Sequence, residues 1–309
     1  MDLSIVIVNW NTKALLLACL ASVYATVKEV RFEVFLVDNA SSDGSVEAVR
    51  AHYPQVRVIQ NEKNLGFAAA NNMALRDMQG RYALLLNTDT VLTEGAIAKL
   101  HAYLESQDDV GMACGQLLNE DGSKQNSIAN FPSPLTLLAN ETVLRLLMPE
   151  RFPSKRRDYA APIPVESCIG ACLMVRKEAM DAVGLLDERY FFFMEETDWA
   201  LAMSKAGWKS CFVPEARIYH LQGQSAGHNV RARIMFYRAR YTYFQKWFPS
   251  AWPFLAFLVV LRLLLNAVLN GLGVLGTLGL HRGIRARLGL YLQLLAWHGR
   301  GCPGRVERC

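Results

Sequence analysis

The chain has 309 residues, of which 52% are hydrophobic, and its formal net charge is +5. A chain of this length and composition can bury a sizeable core in one large domain or two smaller ones. The charge is mild, so the composition gives no reason to expect nucleic acid as a partner.

The first sixty residues alternate between short apolar runs and stretches with helical apolar spacing. The predicted strands cover residues 3–8, 32–37 and 56–60, and the predicted helices cover 14–25 and 44–52. This alternation predicts an α/β fold with a mostly parallel sheet covered by helices on both faces.

Polar residues directly follow two apolar runs, as Asp38-Asn39 and as Asn87-Thr88-Asp89. Ligands of open sheets bind beyond the carboxyl ends of the strands, so both acids are expected at one edge. An acid that ends an apolar strand is costly unless a cation meets it, which predicts a metal ligand at Asp89, with helix capping as the alternative. No glycine-rich dinucleotide or P-loop motif accompanies these strands.

Two polar turns precede predicted helices. In residues 38–44 the alternative to a binding role is that Ser42 or Asp43 caps the next helix. In residues 64–72 Gly66 would let the backbone approach a ligand at a helix N-terminus, although a plain turn fits equally well.

Residues 119–164 differ in character, because they contain six prolines and the basic run Lys155-Arg156-Arg157. We expect a segment over the site that contacts acceptor or lipid phosphate, or else a solvated loop.

A cluster of acids, Glu195-Glu196-Thr197-Asp198, follows an aromatic run at residues 191–193. Apolar surroundings and neighbouring like charges raise the pKa of a carboxyl group, which suits a general base. On a helix Glu195 and Asp198 would share a face, while Glu196 would point about 100° away from Glu195. The alternative is an acidic first turn that interacts with the helix dipole. Farther along, His220 ends a strand predicted at 211–219, with Pro214 near its start. A lone histidine of this kind can also be a purely structural residue.

Residues 251–280 are almost wholly apolar, and Arg262 is their only charged residue. Residues 263–280 reach the lower length limit for crossing a bilayer but contain two asparagines and four glycines. We expect a re-entrant or interfacial helical pair, with an amphipathic patch at 288–297; a spanning helix and a soluble helical subdomain remain alternatives. Basic residues on both sides of the segment suit an anionic membrane face: Arg231, Arg233, Arg238, Arg240, Lys246, Arg282, Arg285 and Arg287.

The seven cysteines are scattered, and no leader-like segment opens the sequence, which predicts a reducing cytoplasmic setting. Cys168, Cys172, Cys302 and Cys309 lack the paired spacing of a zinc site.

Several motifs occur in an order that resembles the family 2 glycosyltransferases, over roughly residues 3–248. The combination of Asn87-Thr88-Asp89 with the acids at 195–198 and His220 is similar to the rhamnosyltransferase-like branch that builds bacterial surface polysaccharides. The motifs are Ser4-Ile5-Val6-Ile7-Val8-Asn9-Trp10-Asn11, Val37-Asp38-Asn39-Ala40-Ser41-Ser42-Asp43-Gly44-Ser45, Asn64-Leu65-Gly66-Phe67 and Leu86-Asn87-Thr88-Asp89-Thr90.

The resemblance implies a GT-A-type nucleotide-sugar-binding fold and a set of site residues. It implies that Glu196 is the catalytic base, with Glu195 or Asp198 as alternatives, and that Asp89 and His220 hold Mg²⁺ or Mn²⁺. Because the family often has aspartate at the position of Asn87, this metal site would carry one fewer charge. The implied nucleotide-sugar-binding residues are Val8, Asn9, Asp38, Asn39, Asn64, Gly66, Asn71, Asn87 and Thr88.

The expected organisation is a catalytic domain at residues 1–250 and a membrane-associated helical tail at 251–309. The expected activity is inverting transfer of one sugar, first of all rhamnose from dTDP-rhamnose, to a lipid-linked or lipid-core glycan at the cytoplasmic face of the bacterial inner membrane. The protein would be peripheral, re-entrant or single-pass. Alternatives are a UDP-sugar-dependent transferase of the same fold and a non-catalytic membrane protein that binds nucleotide sugars. A sugar nucleotidyltransferase is disfavoured, because the segment from Val8 to Thr12 lacks a glycine-rich loop with a nearby arginine or lysine.

Overall fold

The computed structural model describes residues 1–138, 141–153, 157–221 and 230–302. It divides into two compact units, one of residues 1–131 and 149–226 and the other of residues 132–148 and 227–309. The predicted basic residues Lys155 and Arg156, and Cys309, lie outside the described residues.

The first unit contains a large mixed sheet in the order β3-β2-β1-β4-β10-β6-β11-β5, with β8 paired to β11, and a two-stranded sheet of β7 and β9. The strands are β1 Leu3–Asn9, β2 Phe32–Asp38, β3 Arg57–Gln60, β4 Tyr82–Asn87, β5 Thr90–Leu92, β6 Val110–Leu118, β7 Ile128–Ala129, β8 Ile163–Val165, β9 Ser167–Cys168, β10 Cys172–Arg176 and β11 Lys209–His220. The helices of this unit are α1 Lys13–Thr26, α2 Ser45–His52, α3 Phe67–Asp77, α4 Ala96–Glu105, α7 Lys177–Val183 and α8 Glu195–Lys205.

Strand alternation explains why helices cover both faces of the sheet. In β1, Ile5 and Ile7 belong to one hydrophobic core, which α1, α2 and α4 complete, while Val6 belongs to a second core with α3, α7 and α8. Successive side chains of a strand point to opposite faces, so an unbroken apolar strand needs cover on both. The predicted mostly parallel α/β architecture is confirmed.

The sheet brings the carboxyl ends of several strands to one edge. β1 pairs in parallel with β2 and β4, and β6 pairs in parallel with β11. Strand β10 runs antiparallel between β4 and β6, so these two also point the same way. The ends of β1, β2, β4 and β11 therefore lie along the same edge.

The predicted elements agree with the structure apart from local shifts. Helix α2 begins after Gly44, whose φ of +76° is a left-handed conformation that glycine adopts readily. Strand β11 starts earlier than predicted, so Pro214 lies in its interior. There the pairing with β6 shifts register between Val213 and Arg217, which is where a strand tolerates proline.

The second unit is helical. Its helices are α5 Pro134–Leu138, α6 Glu141–Leu147, α9 Val230–Trp247, α10 Trp252–Gly276 and α11 Arg282–Gly299. The compact units thus part before α9. The division into a catalytic domain at 1–250 and a membrane-associated tail at 251–309 stays a prediction.

Helix α10 is one continuous helix of 25 residues, where the sequence suggested a helical pair. Its polar side chains do not break it, because Asn270 Nδ2 donates to the Asn266 carbonyl at 2.8 Å within the helix. The helix has a mean hydropathy of 2.1 and is long and apolar enough to cross a membrane. Most of its apolar side chains are exposed.

Candidate active site

The polar ends of β1, β2 and β4 lie side by side. In the parallel register Asn9 is opposite Asp38, and Val8 is opposite Asn87. The predicted proximity of the 38–39 and 87–89 segments is therefore present at the carboxyl edge of the sheet.

Asp38 is fully buried and holds the turn that follows β2. Its Oδ1 accepts from Asn9 Nδ2 at 2.8 Å, and its Oδ2 accepts from the Ser41 amide at 2.9 Å. Thr12 Oγ1 in turn donates to Asn9 Oδ1 at 2.7 Å. These donors use part of the carboxylate's capacity to accept hydrogen bonds. Asp38 therefore shapes this edge of the sheet whether or not it also contacts a ligand.

The alternative capping role of Asp43 is partly present. Its Oδ1 accepts from the Ser45 amide at 3.1 Å in the first turn of α2, and its Oδ2 accepts from the Lys13 amide at 2.8 Å. Asp43 thereby joins the beginnings of α1 and α2, although Gly44 occupies the capping position itself.

Asn39 connects β2 to the beginning of α3. Its side chain donates to the Gly66 carbonyl at 3.1 Å and accepts from Asn61 Nδ2 at 3.0 Å. Asn64 Oδ1 accepts from the Gly66 amide at 2.9 Å and fixes the same turn.

Gly66 allows a close approach of Phe191, while its expected contact with a ligand stays a prediction. A Cβ on Gly66 would lie 2.5 Å from the Phe191 carbonyl oxygen, and the Phe67 amide donates to that oxygen at 2.7 Å. The aromatic run is thus tied to the N-terminal half of the fold. Asn71, one turn into α3, is fully buried, and its Oδ1 has no hydrogen-bond partner among the described residues.

Asp89 and His220 come together at the end of β4. The short strand β5 pairs with the end of β11, placing Thr90 opposite His220, and the Leu221 amide donates to the Asp89 carbonyl at 2.8 Å. Both side chains are buried, and His220 Nε2 lies 3.4 Å from Asp89 Oδ1.

Gln125 holds the imidazole of His220 from the other side. Its Nε2 donates to the His220 carbonyl at 2.5 Å, and its Oε1 lies 2.9 Å from His220 Nδ1. Because a carboxamide oxygen only accepts, this contact places a proton on Nδ1 and makes Nε2 the ring nitrogen that faces Asp89.

The donor set of Asp89 and His220 fits a divalent ion that arrives with phosphate oxygens. Within the described ranges, no group of three or more His, Cys, Asp or Glu side chains is arranged as a metal site. Mg²⁺, however, is usually held by one or two protein groups together with substrate phosphates. Adjacent ligands about 2.1 Å from an octahedral ion lie roughly 3.0 Å apart, close to the observed separation.

The three candidate bases differ in environment at the start of α8. Glu195 is buried with Oε2 unpartnered among the described residues, and burial and then the charge of Glu196 raise its pKa well above the usual range. Asp198 is buried and accepts from the Tyr190 hydroxyl at 3.1 Å. Glu196 lies on a different side of the helix from Glu195 and stays partly accessible to solvent.

Glu196 combines accessibility with a raised proton affinity. Burial raises the pKa of Glu196 to about 6, against hydrogen bonds from the amides of Glu196, Thr197 and Gly170 that lower it. Such a carboxyl group is largely ionised at neutral pH yet a better base than an ordinary glutamate. The backbone before it is strained, since Phe193 and Met194 have φ of +74° and +69°.

Gly170 and Ala171 link Glu196 to the metal-binding candidates. The Gly170 α-carbon lies beside the Glu196 side chain, since a Cβ there would be 3.6 Å from Cγ. The Asn87 amide donates to the Ala171 carbonyl at 2.9 Å, next to Thr88 and Asp89. Two consecutive residues thus connect the candidate base with the end of β4.

Sequence reasoning missed Gln125 and Thr12. The Thr12 hydroxyl oxygen also lies 2.9 Å from Thr88 Oγ1. Gln125 lies in a proline-rich segment whose pattern carries no signal for a partner of His220. Only the fold places Gly170 against Glu196.

One cysteine borders this site, since Cys19 Sγ donates to the Asn87 carbonyl at 3.6 Å. Cys19, Cys114, Cys168, Cys172 and Cys211 are buried free thiols. Burial raises the pKa of Cys19 to about 12, so its thiol stays neutral.

Known proteins resemble the chain in sequence. It is 32% identical to the N-acetylglucosaminyl-diphospho-decaprenol L-rhamnosyltransferase of Mycobacterium tuberculosis, over 65% of this chain and 70% of that one. It is also 27% identical to an N-acetylglucosaminyltransferase of Mesorhizobium japonicum, over 72% of this chain and 52% of the relative.

Solved structures share the fold. The mannosyltransferase PcManGT from Pyrobaculum calidifontis, in complex with GDP-Man and Mn²⁺, superposes with a TM-score of 0.63 at 17% identity, covering 97% of this chain and 87% of that one. GalNAc-T7 with UDP, GalNAc and Mn²⁺ gives a TM-score of 0.56 at 18% identity, covering 76% of this chain and 47% of that one.

The model of the family "Glycosyl transferase family 2" matches residues 4–184, more than half of the chain. This range contains β1 to β4 with their polar ends, and Asp89. The chain therefore belongs to glycosyl transferase family 2.

Proposed function

We propose that this glycosyltransferase moves one sugar from a nucleoside-diphosphate donor to a hydroxyl of a lipid-linked glycan, with inversion at the anomeric carbon. Rhamnose from dTDP-rhamnose is the first donor to test, because the Mycobacterium tuberculosis relative is a rhamnosyltransferase. The observation that carries the proposal is the convergence of Asp89, His220 and Glu196 at one edge of the sheet.

In this reaction the acceptor oxygen attacks the anomeric carbon as the bond from that carbon to the diphosphate breaks. Glu196 removes the proton from the attacking hydroxyl, so the nucleoside diphosphate leaves and the glycoside forms. Asp89 and His220 would hold a Mg²⁺ or Mn²⁺ ion, which would supply positive charge for the departing diphosphate. Gln125 keeps His220 in the tautomer that this role requires.

The donor nucleotide would bind along the ends of β1, β2 and β4. Asn71 Oδ1, which has no hydrogen-bond partner among the described residues, is a buried acceptor beside this edge. The other expected contacts are Val8, Asn9, Asp38, Asn39, Asn64, Gly66, Asn87 and Thr88.

A membrane-borne acceptor is supported by α10. Its exposed apolar side chains recur at helical spacing, an arrangement that soluble surfaces avoid and that suits contact with lipid. They include Phe254, Phe257, Leu261, Leu264, Leu265, Val268, Leu269, Leu272 and Leu275. With the lipid-linked substrate in the relative's name, this supports association with a membrane. The proposed place is the cytoplasmic face of the bacterial inner membrane, and the proposed role is cell-envelope polysaccharide synthesis.

The test is release of nucleoside diphosphate by detergent-solubilised protein across a panel of nucleotide sugars, with Mg²⁺ or Mn²⁺ and a bacterial lipid extract. We expect release from one donor that depends on lipid, metal and Asp89. Asp108→Ala is the matched control, because Asp108 is an exposed aspartate outside the site. Protein that binds nucleotide but releases diphosphate from no donor would support the non-catalytic alternative.

A further inference from the structure

Helices α9 to α11 of the second unit lie in a stretch whose charge has one sign. Residues 230–302 contain no aspartate or glutamate, whereas they contain ten basic residues. No carboxylate within this stretch can therefore pair with its guanidinium groups. The basic residues are Arg231, Arg233, Arg238, Arg240, Lys246, Arg262, Arg282, Arg285, Arg287 and Arg300.

Arg240 is the most constrained of these groups. Its guanidinium carbon lies 4.8 Å from the ring centre of Phe236 and 5.9 Å from that of Tyr237. Its Nε is buried and has no hydrogen-bond partner among the described residues. Contacts with aromatic rings offset only part of the free-energy cost of removing the Arg240 guanidinium group from water. Its N–H groups therefore remain strong hydrogen-bond donors for a ligand.

A second guanidinium group adds to the local positive charge. Arg262 on α10 donates through Nη1 to the carbonyls of Thr136 and Leu137, at 3.0 and 2.9 Å, which fixes its position. Burial lowers the pKa of Arg240, the Tyr237 phenol acts in the opposite direction, and the charge of Arg262 lowers it further. Arginine keeps its proton at physiological pH, so an anion is what relieves this unfavourable charge.

The Tyr237 ring adjoins Arg240, and its hydroxyl supplies a neutral donor. Burial raises the pKa of its hydroxyl, which therefore remains protonated. Arg262 itself lies between the exposed side chains of Leu261 and Leu264, so the charged group borders the apolar surface of α10. A ligand with a compact anionic head and a long apolar chain matches both features.

We propose that Arg240, Arg262 and Tyr237 bind the diphosphate headgroup of a lipid whose chain lies along α10. Arginine pairs form multiple charge-assisted hydrogen bonds with phosphate oxygens, and two of them suit a diphosphate. This inference rests on the proposed function, for which the lipid is the carrier of the acceptor glycan.

The experiment measures binding of the full-length protein to phosphatidylcholine vesicles that carry farnesyl diphosphate. Vesicles with phosphatidylglycerol at equal surface charge provide the comparison, and inorganic pyrophosphate serves as a soluble competitor. The variants are Arg240→Gln, Arg240→Lys and the control Arg287→Gln, which removes an exposed charge from α11.

We expect wild type to prefer diphosphate vesicles, and Arg240→Gln to reduce that preference roughly tenfold or more, as for a lost charged hydrogen bond. Arg240→Lys should keep part of the preference, and Arg287→Gln should weaken both kinds of binding equally. If Arg240→Gln does not fold, the wild-type preference and the Arg240→Lys variant decide the question.

Three results would overturn the inference: equal binding of wild type to both vesicles, equal effects of Arg240→Gln and Arg287→Gln, or binding of pyrophosphate without any vesicle preference. The last result would assign the site to a soluble diphosphate. Vesicle binding needs no sugar transfer. Failure of transfer with an intact preference therefore counts against the proposed function alone.

Discussion

Replacement of Glu196 by glutamine tests the assignment of the catalytic base. Glutamine has nearly the same shape but cannot accept the proton of the acceptor hydroxyl. We expect the turnover rate to fall by about 10² to 10⁴, the usual contribution of a general base, while binding of the donor nucleotide is retained.

The pH dependence follows from the environment of Glu196. Its pKa rises from 4.5 to about 6, and this difference of about 1.5 pH units corresponds to about 2 kcal/mol against the charged form. The base is protonated below that pKa, so kcat/KM should fall about tenfold per pH unit below pH 6 and level off above pH 7.

The assay is nucleoside-diphosphate release with lipid acceptor between pH 5 and pH 8, for wild type, Glu196→Gln, Glu195→Gln and Asp198→Asn. The reasoning is refuted if Glu196→Gln keeps turnover within threefold of wild type. It is also refuted if Glu195→Gln folds but loses the activity expected to be lost in Glu196→Gln, while Glu196→Gln keeps its activity.

Four further outcomes are expected. Asp89→Ala should weaken Mn²⁺-dependent binding of nucleoside diphosphate roughly tenfold or more, measured by calorimetry. Gln125→Met should weaken Mn²⁺ binding about tenfold but have no further effect in a His220→Ala background, where the ring that it positions is gone. Glu195→Gln should raise the melting temperature at pH 8 and lose this advantage towards pH 4.5, because a raised folded-state pKa costs stability only as pH rises above the unfolded value. Leu272→Asp should reduce sedimentation with anionic vesicles about tenfold or more, since it places a charge on the apolar face of α10.

Matched variants make these outcomes specific. Asp108→Ala removes an exposed carboxylate and should leave Mn²⁺ binding unchanged. Gln125→Glu keeps an acceptor for His220 Nδ1 and should preserve metal affinity better than Gln125→Met. Gln107→Asp adds a negative charge to an exposed position of the first unit and should not alter vesicle binding. Equal effects of any variant and its control would contradict the corresponding prediction.

Much of the fold follows from local sequence. The apolar runs of β1, β2 and β4 are legible because each strand is buried on both faces, and the polar residues that end them mark the ligand-binding edge. The acids at 195–198 are chemical candidates for a similar reason, since they directly follow an aromatic run.

The choice among those acids needed the tertiary structure. All three stand in the first turn of α8, but Tyr190 contacts Asp198, Glu195 is enclosed, and Gly170 leaves room beside Glu196. Helical spacing gives only the relative directions of the side chains, because the surroundings come from segments distant in the chain.

The second unit also shows what the sequence pattern alone does not predict. Composition identified an apolar segment bordered by basic residues, but its two asparagines and four glycines suggested an interrupted structure. The continuous α10 forms because the side chain of Asn270 is satisfied within the helix and the packed residues Leu255, Val259 and Leu263 support one face.

The sequence by itself determined the α/β architecture, the polar edge of the sheet and the acids available for chemistry, because strand and helix periodicities and strand-end residues are local properties. Only the tertiary structure decided that β5 pairs with β11, which brings Asp89 to His220, and that Gln125 orients the imidazole. These contacts join residues far apart in the chain, and such pairings are fixed by packing of the whole sheet, which leaves no pattern in either segment alone.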